Sequence, residues 1–323
     1  MAMRAKVLLT RRWPEAVVAA LRERYDVTTN PDDRPLSPDA LRAAMLRHDI
    51  LCPTITDRID AGMIEQAGRT VRIIGNFGAG FEHIDLAAAR RAGVIVTNTP
   101  DVLTQATAEL CILLMLMTAR RAGEGERQLR AGHWPGWHPV HLMGTSLVGK
   151  RLGLVGYGRI AQEVARMAAG LWNMSIAYHA RHRVAPVPGL PEAQFCASLT
   201  DLVESSDIVS IQCPGGAATH HLIDAAMIAR MKPSALIINT ARGTVVDERA
   251  LARALATGQV AGAGLDVYER EPQIDPALLG MENVVLLPHL GSATVETRNA
   301  MGFRVLANLD ACLAGQEPPD RVA

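Results

Sequence analysis

Three segments in the last third of the chain end in side chains suited to one reaction. Ile237-Ile-Asn239-Thr240-Ala241-Arg242-Gly243 closes an apolar run with an arginine beside a glycine. Gly264-Leu-Asp266-Val-Tyr-Glu269-Arg-Glu271-Pro272 closes another in acids, and Val284-Val-Leu-Leu-Pro288-His289-Leu-Gly291-Ser292 closes a third in a histidine. A guanidinium grips a carboxylate with a planar fork. An imidazole, which ordinarily titrates near pH ~6.5, can hold or release a proton close to neutrality. A carboxylate against its second ring nitrogen orients it and favours the charged form. The set fits hydride reduction of a 2-oxo acid. Arg242 would hold the substrate carboxylate and His289 would protonate the ketone oxygen as C2 accepts hydride. Glu271 would orient His289, with Glu269 and Asp266 as close rivals, and Asp266 is also a candidate support beside a nicotinamide amide. Taken singly, each has a plainer reading as a surface arginine, a loop acid or a loop histidine; their order around one sheet edge is what makes them specific.

That edge must be built. Short apolar runs at Leu152–Val155, Met174–Tyr178, Ile208–Gln212, Ala235–Asn239, Gly262–Asp266 and Val284–Leu287 alternate with helical patterns, which predicts a six-stranded dinucleotide-binding sheet. Ligands of such sheets lie beyond the carboxyl ends of the strands, where all three segments fall. The first strand runs into Gly156-Tyr157-Gly158-Arg159-Ile160-Ala161. A G-x-G-x-x-A is weak alone, but at a strand-to-helix junction it predicts a tight turn at Gly156, pyrophosphate approach at Gly158 and close packing at Ala161.

About 20 residues further on, where an acid would take the ribose hydroxyl of NAD, the chain reads Tyr178-His179-Ala180-Arg181-His182-Arg183. No acid is present, and Arg181 and Arg183 could pair with a 2′-phosphate, so NADP(H) is favoured and NAD(H) stays possible. The alternative is that these arginines only solvate a loop.

The first hundred residues repeat the alternation on a smaller scale, predicting a second parallel α/β unit. Its Asn76-Phe-Gly78-Ala79-Gly80-Phe81 turn follows a strand and is shaped to offer backbone N–H groups to an anion. Ala79 and Gly80 are candidates for a second grip on the substrate carboxylate; a plain strand-to-helix turn is the alternative. The helical run Thr107–Ala119 is apolar nearly all round and must be covered. The stretch after it is irregular from Gly132 to Lys150 and carries Trp134 and Trp137. So long a loop must pack on something, either as an arm around a partner subunit or as a lid, and the arm is favoured.

Bulk properties narrow the class. The 323 residues, 49% hydrophobic and 20% charged, are enough for two packed domains. Lys plus Arg and Asp plus Glu balance at 33 each, giving no field for nucleic acid. Five scattered cysteines without a CxxC pair read as buried thiols of a reducing compartment, and no metal site is expected. The N-terminal apolar stretch is too short for a signal peptide and no run approaches the ~20 residues of a membrane span, so a cytoplasmic protein is expected.

These motifs resemble the D-specific 2-hydroxyacid dehydrogenase family over nearly the whole chain. The resemblance is carried by Asn76–Gly80, Thr97-Asn-Thr-Pro100 through Ala108-Glu109, the Gly156 fingerprint, Thr240–Gly243, Glu271-Pro272 and Pro288-His289-Leu-Gly-Ser292-Ala-Thr294. It implies an α/β fold of two Rossmann-like domains, a doubly wound dinucleotide-binding domain (100–290) inserted into a smaller flavodoxin-like substrate domain (1–99 and 291–323). It implies Arg242, Glu271 and His289 as the catalytic trio. It implies cofactor contacts from Thr107, Gly156, Tyr157, Gly158, Arg159, Ile160, Arg181, Arg183, Cys213, Pro214, Thr219, Thr240, Ala241, Arg242, Asp266, His289 and Gly291. It further implies a homodimer whose arm (118–148) embraces the partner, with Trp134 or Trp137 reaching the partner's substrate site. Within the family the chain is most similar to glyoxylate and hydroxypyruvate reductases. It departs from the family at Pro214-Gly-Gly-Ala-Ala-Thr219, where leucine and threonine more often follow the proline. Ending at Ala323, it is expected to lack a C-terminal regulatory domain. Two other readings are a dehydrogenase of 3-phosphoglycerate or a bulkier 2-oxo acid, for which Arg34, Arg47 and Arg58 are candidate anchors, and a non-enzymatic dinucleotide sensor, against which the intact trio argues.

Overall fold

The computed structural model describes residues 4–323. The chain folds as two compact units, Met1–Leu103 with Ser292–Ala323, and Thr104–Gly291.

In the first unit, strands β1 (Lys6–Leu9), β2 (Asp26–Thr28), β3 (Ile50–Cys52), β4 (Ile73–Gly75) and β5 (Ile95–Thr97) form a parallel sheet in the order β2-β1-β3-β4-β5. This is the flavodoxin-like order. Every residue of β3 and β4 is buried, as expected for parallel strands covered on both faces. Helices α2 (Pro38–Met45), α3 (Ala61–Ile64) and α4 (Leu86–Ala92) bury Leu41, Met45, Ile64 and Ala88 in one core. Helices α1 (Glu15–Arg24) and α12 (Val295–Leu313) bury Val17, Leu21, Val305 and Leu309 in the other. Ser37 caps α2 by accepting from Ala40 N, with Pro38 in its first turn, and left-handed Gly93 (φ 64°) ends α4.

The second unit holds a seven-stranded parallel sheet: β6 (Arg151–Val155), β7 (Ser175–His179), β8 (Ala193–Phe195), β9 (Ile208–Ile211), β10 (Leu236–Asn239), β11 (Gly262–Leu265) and β12 (Val284–Leu286). Their order, β12-β11-β10-β9-β6-β7-β8, is doubly wound, with the switch point between β6 and β9. Edge strand β8 is one more than the sequence predicts. Helices α5 (Thr104–Ala119) and α7 (Arg159–Trp172) cover one face, burying Leu114 and Val164 against Leu154 and Ile238. Helices α8 (Leu199–Ser205), α9 (Ala225–Ala229) and α10 (Glu248–Ala256) cover the other, around Ile237 and Leu251. Helix α6 (Ala122–Arg130) forms where the sequence pattern gave no element, and the short α11 (Pro276–Leu279) precedes β12. Among the described residues, no helix is long and apolar enough to cross a membrane.

Candidate active site

The turns after β10, β11 and β12 all leave the C-terminal edge of the second unit's sheet. After β10, buried Asn239 folds the turn on itself: its Oδ1 accepts from Ala241 N (3.0 Å) and its Nδ2 donates to Arg242 O (3.0 Å). The Arg242 guanidinium donates to Ala241 O (2.6 Å). A Cβ on Gly243 would lie 1.8 Å from the carbonyl carbon of Tyr268, so only glycine lets this turn rest on the next one.

The acids after β11 divide their tasks. Glu271 Oε2 meets His289 Nδ1 at 2.8 Å, while Glu271 Oε1 accepts from Tyr268 N at 3.0 Å. Glu269 turns elsewhere, to His221 Nε2 at 3.1 Å. Asp266, 1% exposed, accepts from the backbone amides of Leu290 (2.6 Å) and Gly291 (2.8 Å) and so shapes the turn that carries His289. The three acids that rival one another in sequence thus separate by contact, and Glu271 is the one against the imidazole. Burial pushes the Glu271 carboxyl up, but the hydrogen bond and charge of His289, the Tyr268 amide and nearby Arg242 outweigh it and hold it below its ordinary value. Burial raises the Asp266 carboxyl despite its two amide donors. His289 itself sits at φ 52°, a left-handed conformation held by its amide donating to Asp266 O (2.9 Å).

The fingerprint turn has the predicted local form. Gly156 (φ 97°) lies where a Cβ would come within 2.9 Å of Cys213 N, and a Cβ on Gly158 would meet nothing within 4 Å. Gly158 stands just before α7, which Arg159 and Ile160 open, and Ala161 is buried beneath. The space above a helix N-terminus is therefore open to an anion. Tyr157 is buried and stacks on Tyr178 (4.2 Å between centroids). Arg181 is exposed at the end of β7, whereas Arg183 lies over the Phe195 ring at 5.6 Å. Thr107 on α5 faces Gly291, whose added Cβ would come 3.6 Å from the threonine side chain. Thr240 Oγ1 is 3.4 Å from Gln212 Nε2. Cys213 is raised to about 11 by burial and is a thiol, not a thiolate. The Thr219 hydroxyl donates to Pro214 O (2.7 Å), which ties the glycine-containing segment into its own turn.

In the first unit, the carbonyls of the Ala79–Gly80 turn are drawn onto side chains: Asn76 Nδ2 donates to Gly78 O (3.0 Å) and Gly80 O (2.8 Å), and Asn98 Nδ2 to Ala79 O (2.7 Å). His83 Nε2 meets Asn76 Oδ1 at 3.1 Å. Carbonyls held this way leave the turn suited to presenting N–H groups. Asn76, Asn98 and Asn239 carry the scaffolding of these turns without being foreseen. The buried asparagines were visible only as polar residues at the ends of apolar runs.

One further group of ligand-type side chains, His220, His221 and Glu269, comes together among the described residues. The two imidazole rings are stacked 4.0 Å apart, and His221 Nε2 is engaged with Glu269 Oε1 at 3.1 Å.

Residues 112–291 match the model of the D-isomer specific 2-hydroxyacid dehydrogenase NAD-binding domain. A glyoxylate reductase of Thermococcus onnurineus is 41% identical, the match covering 99% of this chain and 96% of that protein. An NADPH-dependent glyoxylate/hydroxypyruvate reductase of Sinorhizobium meliloti, solved with NADP and malonate, superposes with a TM-score of 0.86 at 34% identity, covering 99% of this chain and 97% of that one. A glyoxylate reductase from Paecilomyes thermophila gives 0.86 at 33% identity, covering 100% and 99%. With its doubly wound sheet, its fingerprint turn and its paired Glu271 and His289, the chain belongs to the D-isomer specific 2-hydroxyacid dehydrogenase family.

Proposed function

We propose that the protein reduces a small 2-oxo acid, glyoxylate or hydroxypyruvate, to the 2-hydroxy acid, with NADP(H) preferred over NAD(H). The observation that carries the reading is the Glu271–His289 contact of 2.8 Å on the sheet edge that also bears Arg242. The match to glyoxylate reductases along almost their full length supports the substrate class.

A reduced dinucleotide supplies the hydride when bound. Gly156, Gly158 and the first turn of α7 would hold its pyrophosphate, and the open space above Gly158 fits that role. Arg181 at the end of β7 would meet a 2′-phosphate; Arg183, engaged with Phe195, would contribute at longer range. Thr107, Thr240, Ala241, Asp266 and Gly291 would line the nicotinamide end, and Cys213, Pro214 and Thr219 the return from β9. Arg242 pairs with the substrate carboxylate and fixes C2. Glu271, kept ionised, holds His289 through Nδ1 and stabilises the imidazolium, so that Nε2 points its proton at the ketone oxygen. As C2 becomes tetrahedral, that proton passes to the alkoxide and neutral His289 remains. The Ala79–Gly80 turn adds a grip on the carboxylate.

The exposed apolar side chains of the 118–148 segment, Trp137 at 81% and Met143 at 65% among them, support a homodimer arm. The deciding experiment is a panel of initial rates with glyoxylate, hydroxypyruvate, pyruvate and phenylpyruvate, each with NADPH and NADH. Glyoxylate or hydroxypyruvate with NADPH should lead, and His289→Ala should abolish turnover while NADPH still binds. Full turnover in His289→Ala, or a preference for phenylpyruvate, would overturn the reading.

A further inference from the structure

We infer that Glu248 is a positioning residue: its buried carboxylate braces the loop that carries Glu271 and thereby sets the Glu271–His289 pair. The inference rests on the roles proposed above for those two residues.

Glu248 opens α10 one residue after the cap, Asp247, whose side chain already accepts from Ala250 N at 2.9 Å. An acid in a first turn ordinarily faces solvent and interacts with the helix dipole. Glu248 is instead 6% exposed and accepts the backbone N–H of Glu269 at 2.6 Å. The Asp275 amide also favours its charged form. These two amides flank Glu271 in sequence, two residues before it and four after. Burying a carboxylate away from water is unfavourable unless it is hydrogen-bonded, so a helix that merely needed a polar first residue would not place one here. Burial raises the Glu248 carboxyl, and the two amides work against that rise.

The same stretch is fixed from other sides. His221 Nε2 holds the Glu269 side chain at 3.1 Å, so Glu269 is pinned at both its backbone and its carboxylate. The Tyr268 hydroxyl donates to Leu287 O at 2.8 Å, and the Tyr268 carbonyl rests against Gly243. With Tyr268 and Glu269 so held, the Tyr268 amide meets Glu271 Oε1 at 3.0 Å and Oε2 is left to His289. The two amides that Glu248 holds belong to Glu269 and Asp275, so its effect on the pair runs through the loop backbone.

The test is a cycle of variants assayed with glyoxylate and NADPH below the lowest melting temperature in the set. Glu248→Ala should lower kcat about 10- to 100-fold, the scale of a roughly 1 Å misplacement of a reacting group. Glu248→Gln, which keeps one acceptor oxygen, should lose less. The Kd for NADPH, read by fluorescence, should stay within about twofold of wild type for both, since the fingerprint turn is untouched. In a Glu271→Gln background the further loss from Glu248→Ala should shrink to under about threefold, because the two act through one element. Unchanged kcat in Glu248→Ala overturns the inference. So does an equal loss in both backgrounds, or a parallel loss of NADPH binding, since either marks a residue that only supports the fold. Should Glu248→Ala not fold, the same cycle is run with Glu248→Gln and read by the same criteria. An inactive His289→Ala beside a fully active Glu248→Ala removes this inference alone; a fully active His289→Ala removes the reading beneath it as well.

Discussion

Gly243→Ala is a one-carbon change whose effect can be worked from the contact it creates. The new Cβ would stand 1.8 Å from Tyr268 C, 2.1 Å from Tyr268 O and 2.3 Å from Glu269 N, where ordinary contact begins at 3.4 Å. All three neighbours are backbone, so no side-chain rotation relieves the clash. Either the Arg242 turn or the Tyr268–Glu271 loop must retreat by about 1.5 Å. Both alternatives damage the site: the first withdraws Arg242, and the second moves the Tyr268 amide that holds Glu271. A misplacement of about 1 Å lowers rates by about 100-fold, so kcat/KM for glyoxylate should fall by at least that factor. Overpacking of this kind destabilises by about 1–3 kcal/mol, so the melting temperature should drop by a few degrees while the chain still folds. Steady-state kinetics, an NADPH fluorescence titration and a thermal melt on one preparation separate the effects. If Gly243→Ala keeps kcat/KM within about threefold of wild type, the contact between the two turns does not set the active geometry.

Three other predictions concern charge and surface. Arg181→Ala should raise KM for NADPH about tenfold or more and leave KM for NADH nearly unchanged, whereas Arg183→Ala should do less; equal effects on both cofactors would remove the case for 2′-phosphate recognition. Because Glu271 is held below its ordinary value of 4.5, its contribution to the folded site is complete above that pH and is lost as pH falls through the lowered value; Asp266 and Glu248, raised by burial, should take up protons at higher pH than ordinary carboxyls. A carbon-13 titration of the Glu271 carboxyl with a midpoint above 4.5 would contradict this order. Replacing both Trp134 and Trp137 with alanine should weaken self-association by at least tenfold in sedimentation equilibrium, and an unchanged dimer constant would exclude these side chains as anchors.

The strands of the larger sheet were legible because parallel strands buried on both faces leave unbroken apolar runs, as at Ala235–Ile238 and Val284–Leu287, whereas their order was not. Strand β8 was not, because Ala193–Phe195 is a three-residue edge strand after a proline-rich loop and has too little length for a period. Helix α6 was hidden for a different reason. Its two glycines and charged residues bury nothing in its own unit, so no apolar face announces it. At the site, Arg242 and His289 stood out because each ends an apolar strand. Glu271 could not be told from Glu269 by spacing alone; the contact to His289 depends on where the loop turns, which the Tyr268 amide and Glu248 decide. Glu248 looked like ordinary helix-end decoration, since burial of a carboxylate leaves no mark in the local sequence.

The first unit is discontinuous in the chain, and this orders its birth. Gly302 of α12 packs so closely on α1 that an added Cβ would come 2.6 Å from Val17, and Val305 and Leu309 close over Gly75. A ribosome releases those residues only after the whole of the inserted unit. The inserted unit therefore has all of its strands available while the N-terminal sheet, its five strands already made, still exposes the apolar face that α12 will cover. The interval between the two is when the nascent chain is most open to aggregation, and slow translation after Gly291 would lengthen it.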